Sequence, residues 1–236
     1  RMPSSGGFFV DLRSGLPYSL GTGYKISASI LNADFLHLQG EIDEIAGGVD
    51  ELHLDVMDGV FVENISFGPS VLSGLSEAYP GKTLEAHLMI IRPHDYWKQF
   101  QEIGSRIITF HYEATHHAYI LLRDLREAGV QAGISITPGT PASALTSIAN
   151  YIDRLLIMTV EPGFGGQAFI PEMLGKIEGA RKLLGDDVDI EVDGGIDEQT
   201  IGDAKSAGAN VFVVGSYLFK AKDRTANLQA LREKLA

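Results

Sequence analysis

Glu51-Leu-His-Leu-Asp-Val-Met-Asp-Gly59 alternates with the two-residue period of a β-strand, so His53, Asp55 and Met57 share one face. Two residues of metal-ligating type therefore stand on one wall. The arrangement returns in Leu84-Glu-Ala-His-Leu-Met89, where Glu85, His87 and Met89 share a face, and in Asp189-Ile-Glu-Val-Asp-Gly-Gly195, where Glu191 and Asp193 do. Three separate strands thus carry ionisable side chains inward near their C-terminal ends.

Working outward from these stretches, short β-type runs alternate with amphipathic ones from Lys25 to the end, the pattern of successive strand-helix units. Strands are expected at 25–30, 51–56, 84–89, 106–110, 131–136, 154–160, 189–192 and 211–214. Eight strands favour closure into a (β/α)8 TIM barrel over an open sheet. Phe35, Leu38, Ile42 and Ile45 recur at helical spacing, as do Leu121, Leu122, Leu125 and Ala128. Asp34, Ser70 and Asp197 stand where helix N-caps belong, and Gly47, Gly104, Gly129 and Gly208 just past helix ends. Residues 24–236 are expected to form a single barrel domain. Residues 1–23, rich in Ser and Gly without a sustained period, are set apart as a pendant arm or a cloning remnant.

The composition fits one substantial core: 236 residues, 44% of them hydrophobic. A net charge of −12 argues against a nucleic-acid groove or an anionic membrane surface, both of which need clustered Lys and Arg. An anionic ligand would have to be held by local dipoles. The absence of cysteine excludes disulfides, thiolate catalysis and thiolate-bound zinc, leaving imidazole and carboxylate as metal ligands. It also fits a cytoplasmic location. No apolar run approaches the roughly 20 residues of a membrane span.

In such a barrel, functional side chains project from the C-terminal strand ends, which here means Ser29, His53, Asp55, His87, His111, Asp193 and Ser216. A single inward histidine is ordinarily a hydrogen-bonded core residue, and a single strand-end aspartate a helix cap. Their coincidence on matching positions favours a site: His53, Asp55, His87 and Asp193 can hold one divalent transition metal ion, with zinc, iron(II), manganese and cobalt all open. Two carboxylates buried at one mouth would be costly without a cation or a proton. Glu85 and Glu191, one pleat deeper, are either supports for those ligands or hydrogen-bonded barrel residues. His111 and Glu113 are expected to support rather than ligate, and His37, His94, His116 and His117 to be solvated.

Met57, Met89 and Met158 also fall at strand ends, as core filler or as a polarisable surface facing a planar anionic intermediate. Glycines follow the last three strands in Pro162-Gly-Phe-Gly-Gly-Gln167, Asp193-Gly-Gly195 and Gly215-Ser216. One such glycine segment signals only a turn, but three after adjacent strands point to a phosphate held by backbone N–H groups.

These residues resemble the ribulose-phosphate 3-epimerase family from Lys25 onward. The resemblance is carried by Ser29-Ile-Leu-Asn-Ala-Asp-Phe35, His53-Leu-Asp-Val-Met-Asp-Gly59, His87-Leu-Met89, Met158-Thr-Val-Glu-Pro-Gly-Phe-Gly-Gly-Gln167, Asp193-Gly-Gly-Ile196 and Gly215-Ser216. It implies a barrel of the ribulose-phosphate-binding type. It further implies a metal-dependent epimerisation at carbon 3 of a ketose phosphate, D-ribulose 5-phosphate to D-xylulose 5-phosphate, in the pentose phosphate pathway. Asp55 and Asp193 would be the acid/base pair acting through a metal-stabilised enediolate, and His53, Asp55, His87 and Asp193 the metal ligands. Substrate would be met by Ser29, His87, Gly163, Phe164, Gly165, Gly166, Gly194, Gly195, Gly215 and Ser216, with Met57, Met89 and Met158 facing the enediolate. A homo-oligomer with a sugar phosphate as its small-molecule partner is expected. A hexulose 6-phosphate epimerase and a noncatalytic phosphate-binding barrel are the alternatives. The chain departs from the family pattern at Val60 and Glu63, where the family has His and Pro, and at Glu85, where it has Asp.

Overall fold

The computed structural model describes residues 23–236, so most of the proposed arm lies outside the described residues. Eight parallel strands close on themselves in sequence order: β1 (Lys25–Ser29), β2 (Glu51–Met57), β3 (Thr83–Met89), β4 (Ile107–His111), β5 (Gln131–Ile136), β6 (Arg154–Met158), β7 (Asp189–Asp193) and β8 (Val211–Val214). Strand β8 pairs back onto β1, Val214 opposite Ala28, which leaves no free edge. The expected barrel is therefore present, with strand bounds within about two residues of those read from periodicity.

Each strand divides by parity. In β2 every residue is buried, yet Leu52, Leu54 and Val56 pack outward into the apolar layer under the helices while Glu51, His53, Asp55 and Met57 point into the lumen. Burial on both faces is the mark of a parallel sheet, and it explains why an apolar outer face can coexist with a polar interior. The helices α1 (Leu38–Ile45), α2 (Pro69–Leu72), α3 (Leu75–Ala78), α4 (Pro93–Glu102), α5 (Ala118–Glu127), α6 (Met173–Leu184), α7 (Ile201–Ala207), α8 (Ser216–Phe219) and α9 (Arg224–Leu235) surround the strands. Between β5 and β6 the segment Ala142–Tyr151 winds as a 3₁₀ helix. On α5, Leu121, Leu122 and Leu125 are buried, each worth about 1.5–3 kcal/mol over exposure.

Several expected caps are corrected. Asp34 accepts the Leu36 N–H, and Asp197 those of Gln199 and Thr200, so both close turns that precede a helix rather than cap it. The residues at the N-caps of α1, α2 and α7 are His37, Gly68 and Thr200, and Ser70 lies inside α2. Phe35 falls before α1 and is half-exposed. Gly104, Gly129 and Gly208 do take left-handed conformations past α4, α5 and α7, while Gly47 does not.

Candidate active site

Register brings the functional strands level with one another. Asp55 lies opposite His87 and Met57 opposite Met89 across β2 and β3, while Met158 lies opposite Asp193 across β6 and β7. Ligand atoms of His53, Asp55, His87 and Asp193 all fall within 4.8 Å of one another. His87 Nδ1 lies 2.9 Å from Asp55 Oδ1 and 3.9 Å from Asp193 Oδ2, and His53 Nε2 lies 3.3 Å from Asp55 Oδ1. The Ser29 hydroxyl donates to Asp55 Oδ2 at 2.5 Å, which places Ser29 as a partner of that carboxylate.

His53 is fully buried, yet neither ring nitrogen has a hydrogen-bond partner among the described residues. A buried polar group left so costs about 1–3 kcal/mol, and a divalent ion among these nitrogen and oxygen donors would relieve it. The residues present fit a transition metal on chemistry and spacing alike.

Electrostatics separates the two aspartates. For Asp55 burial opposes ionisation, but the charge of nearby His53 and the His87 ring bonded to it at 2.9 Å outweigh it and hold its pKa below the usual carboxylate range. For Asp193 burial and the neighbouring Asp55 charge act together, raising its pKa to about 7. Burial lowers His87 to about 4, which leaves it neutral at pH 7. His53 is raised: its burial favours the neutral ring, but the surrounding carboxylates overcome this. One carboxylate is thus ionised and its neighbour poised to hold a proton, the division that acid/base chemistry at a single carbon requires.

Above the aspartates opens a cleft whose wall includes most of the residues anticipated from sequence: Ser29, the three strand-end methionines, Gly163–Gly166, Gly194, Gly195, Gly215 and Ser216. His53 and His87 do not reach the cleft surface; both are completely buried beneath Asp55. Phe164, half-exposed, stands on the cleft wall. Met57 and Met89 pack with Val62 beside Phe61, so the loop after β2 covers one side of the mouth. The glycines are required sterically: at Gly195, with φ 66°, a Cβ would stand 2.3 Å from the Phe169 backbone nitrogen, and at Gly215 one would stand 2.8 Å from Asn32 Oδ1.

Sequence reasoning missed Asn32, Glu161 and Gln167 on this wall. The side chain of Asn32 is wedged against both Gly165 and Gly215, and its place three residues after Ser29, before the first helix, was the available signal. His111 contacts His87 through Nε2 at 2.9 Å and faces Glu113 at 3.4 Å. Thr137 and Thr140 donate to Glu113 in turn. His37, His116 and His117 are exposed, whereas His94 is half-buried.

A profile of the Ribulose-phosphate 3 epimerase family matches residues 25–219. The chain is 43% identical over 215 residues to ribulose-phosphate 3-epimerase of Mycobacterium tuberculosis, covering 90% of this chain and 93% of that one. To the ribulose-phosphate 3-epimerase, cytoplasmic isoform, of Oryza sativa it is 40% identical over 219 residues, covering 89% and 94%. Among solved structures, 3-hexulose-6-phosphate synthase from Salmonella typhimurium superposes with a TM-score of 0.69 at 20% identity, over 89% of this chain and 98% of that one, a likeness of fold. Among the described residues no helix is long and apolar enough to cross a membrane.

Proposed function

Since this chain belongs to the ribulose-phosphate 3-epimerase family and epimerises ribulose 5-phosphate, we propose that Asp55 and Asp193 are its two proton carriers, beside a divalent ion held by His53, Asp55, His87 and Asp193. The observation that carries this reading is the pair of neighbouring strand-end carboxylates pushed to opposite protonation states.

The proton at carbon 3 is acidic because it lies next to the ketone. Epimerisation needs it removed from one face and another delivered to the opposite face, so two groups must flank the substrate plane in complementary states. Asp55, ionised on β2, takes the proton in one direction; Asp193, raised to about 7 on β7, gives one. In the reverse direction the roles exchange. His53, Asp55, His87 and Asp193 would hold a divalent transition ion such as zinc, iron(II), manganese or cobalt, which when bound would supply Lewis-acid stabilisation of the negative charge that builds on the substrate oxygens. Met57, Met89 and Met158 present an apolar, polarisable surface that keeps water from the planar intermediate without repelling its charge. The N–H groups of the Gly163–Gly166, Gly194–Gly195 and Gly215–Ser216 segments hold the phosphate, and Ser29 fixes the orientation of Asp55.

A cytoplasmic location is supported by the name of the rice relative. Self-association would use the exposed apolar residues Val60, Ile65, Val71, Ile91 and Tyr96 around β2 and β3.

The test is turnover of D-ribulose 5-phosphate by metal-analysed protein in deuterated water. Deuterium should enter carbon 3 of substrate and product, activity should vanish with a chelator, and an added divalent ion should restore it. Turnover unaffected by complete metal removal would eliminate the ion, and product formed without exchange at carbon 3 would eliminate the two-aspartate mechanism.

A further inference from the structure

The cleft that takes the reacting carbons contains no lysine or arginine, while Asp55, Glu161 and Asp193 all line it. A phosphate dianion entering a protein of net charge −12 therefore meets a negative wall. Backbone N–H dipoles offset part of that, and the helix behind Ser216 has only four residues, too short to add a substantial axial dipole. A second, open cleft shares Gly166, Gln167, Gly195, Ile196 and Ser216 with the first, and among the described residues the sole cationic side chain on the walls of either is Lys220.

The placement of Lys220 follows from local structure. Ser216 and Lys220 are four residues apart around α8, and the Lys220 N–H donates to the Ser216 carbonyl at 3.1 Å, so both side chains leave the same face. Lys220 Nζ lies 3.6 Å, and Ser216 Cβ 4.0 Å, from the point where a Cβ on Gly166 would stand. The exposed ammonium group thus lies against the glycine loop. In a chain with 31 acidic and 19 basic residues, it forms no ion pair with a described residue, although Asp197 and Asp203 line the same cleft.

We propose that Lys220 is a phosphate-binding residue of this chain, closing the backbone cradle of Gly166 and Ser216 with the positive charge that the substrate's phosphate meets there. The assignment rests on the reading of the glycine loops as the phosphate site. The backbone sets the geometry of the cradle. Lys220 adds the charge, and its flexible stem lets the ammonium follow the phosphate in and out. Because the group is exposed, its contribution is screened by salt.

Lys220→Gln should raise the KM for D-ribulose 5-phosphate about tenfold with kcat within about twofold, since the phosphate lies away from the reacting carbon and is bound equally in ground and transition states. The inhibition constant of inorganic phosphate should rise in parallel, and both differences should shrink as ionic strength is raised. Lys220→Arg should recover most of the affinity, and Lys222→Gln, which alters an exposed neighbour, should leave KM and phosphate inhibition near wild type. Values for Lys220→Gln within about twofold of wild type, or an equal effect from Lys222→Gln, would overturn the assignment of Lys220 alone. Inorganic phosphate that fails to compete with substrate in the wild-type enzyme would overturn the cradle reading, and this assignment with it.

Discussion

The floor and the mouth of this barrel are both built from carboxylates on β2 and β7, yet they are finished in opposite ways. At the floor, the fully buried Arg154 guanidinium is gripped by Glu51 at 2.6 and 2.9 Å, Glu85 at 2.7 Å and Asp189 at 3.0 Å, while Lys25 reaches Asp189 at 2.7 Å. Two pleats higher, Asp55 and Asp193 have no arginine or lysine beside them, and His53 between the two levels has unpartnered nitrogens. Buried charge is tolerated only when compensated. The floor carries its own cations, whereas at the mouth Asp55 and Asp193 face only histidines, and Asp193 answers with a pKa raised to about 7. A carboxylate in this lumen is therefore structural or functional according to whether Arg154 can reach it.

The largest expected effect lies at the mouth. Asp55→Asn and Asp193→Asn should each reduce kcat by about 10³-fold or more, since in the proposed mechanism each substitution removes a proton carrier and a charge that would hold metal. Thermal stability should change little for Asp193→Asn, because that side chain already favours its neutral form below about pH 7. Metal content measured beside turnover separates the roles: an Asp193 variant that keeps its ion but loses exchange at carbon 3 is a lost proton carrier. Near-normal turnover in either variant would remove that aspartate from the mechanism.

The floor should respond in the other currency. Arg154→Met strips the cation from Glu51, Glu85 and Asp189 together and should cost about 3–5 kcal/mol in a denaturant titration. The fraction that remains folded should retain its metal and most of its turnover. If Arg154→Met instead leaves stability intact and abolishes metal binding, floor and mouth are one electrostatic unit and the contrast drawn between them fails.

Protonation offers a milder way to sharpen the same contrast. Metal binding at the mouth must displace protons from His53, whose pKa is raised, and from Asp193, whose pKa is raised to about 7; His87, lowered to about 4, has none to lose. Raised pKa values mean that the protonated forms compete with the ion as pH falls. Affinity should therefore weaken by at least about tenfold per pH unit below about 7, read from metal titrations between pH 5.5 and about 8. A flat profile would show that neither proton is displaced.

How much of this was legible in advance follows the same division. Period-two alternation made the lumen-facing residues visible, and matching positions on β2, β3 and β7 made the mouth visible as a set. The floor was hidden because Glu51, Arg154 and Asp189 open their strands, where a charged residue reads as an ordinary solvated end, and only barrel closure brings them to one point. Glu85, read as either a ligand support or a hydrogen-bonded barrel residue, accepts from Arg154 and Thr109, and one of its oxygens lies 3.4 Å from His53. Lys220 was invisible for a different reason, since nothing in the linear text ties a residue after β8 to the loop after β6. Asn32 was overlooked because a carboxamide two residues before an aspartate reads as turn chemistry until Gly165 and Gly215 close around it.

The smallest effect is expected where the sequence departs most visibly from its relatives, in the loop after β2. Asp58 anchors that loop by accepting the N–H groups of Val60 and Phe61 at 2.8 Å and of Ile91 at 2.9 Å, and the Gly59 N–H donates to the Asn64 carbonyl at 3.0 Å. Pinned in this way, the loop turns Phe61 against the His111 ring, with centroids 4.6 Å apart, and packs Val62 on Met57 and Met89. Val60 is 68% exposed and Glu63 is exposed as well. Neither lines the cleft above the aspartates, although both border an adjoining open cleft with Phe61 and Phe164. Val60→His with Glu63→Pro should shift turnover and the pentulose-to-hexulose preference by less than about threefold at constant metal content, because a loop held by three N–H bonds to one carboxylate does not depend on its exposed side chains for closure. Phe61→Ala, which uncovers His111, should have the larger effect of the two. A double variant that changes sugar preference more than Phe61→Ala does would mean that substrate length is read at the outer edge of this loop, and the boundary of the functional mouth would have to be drawn to include it.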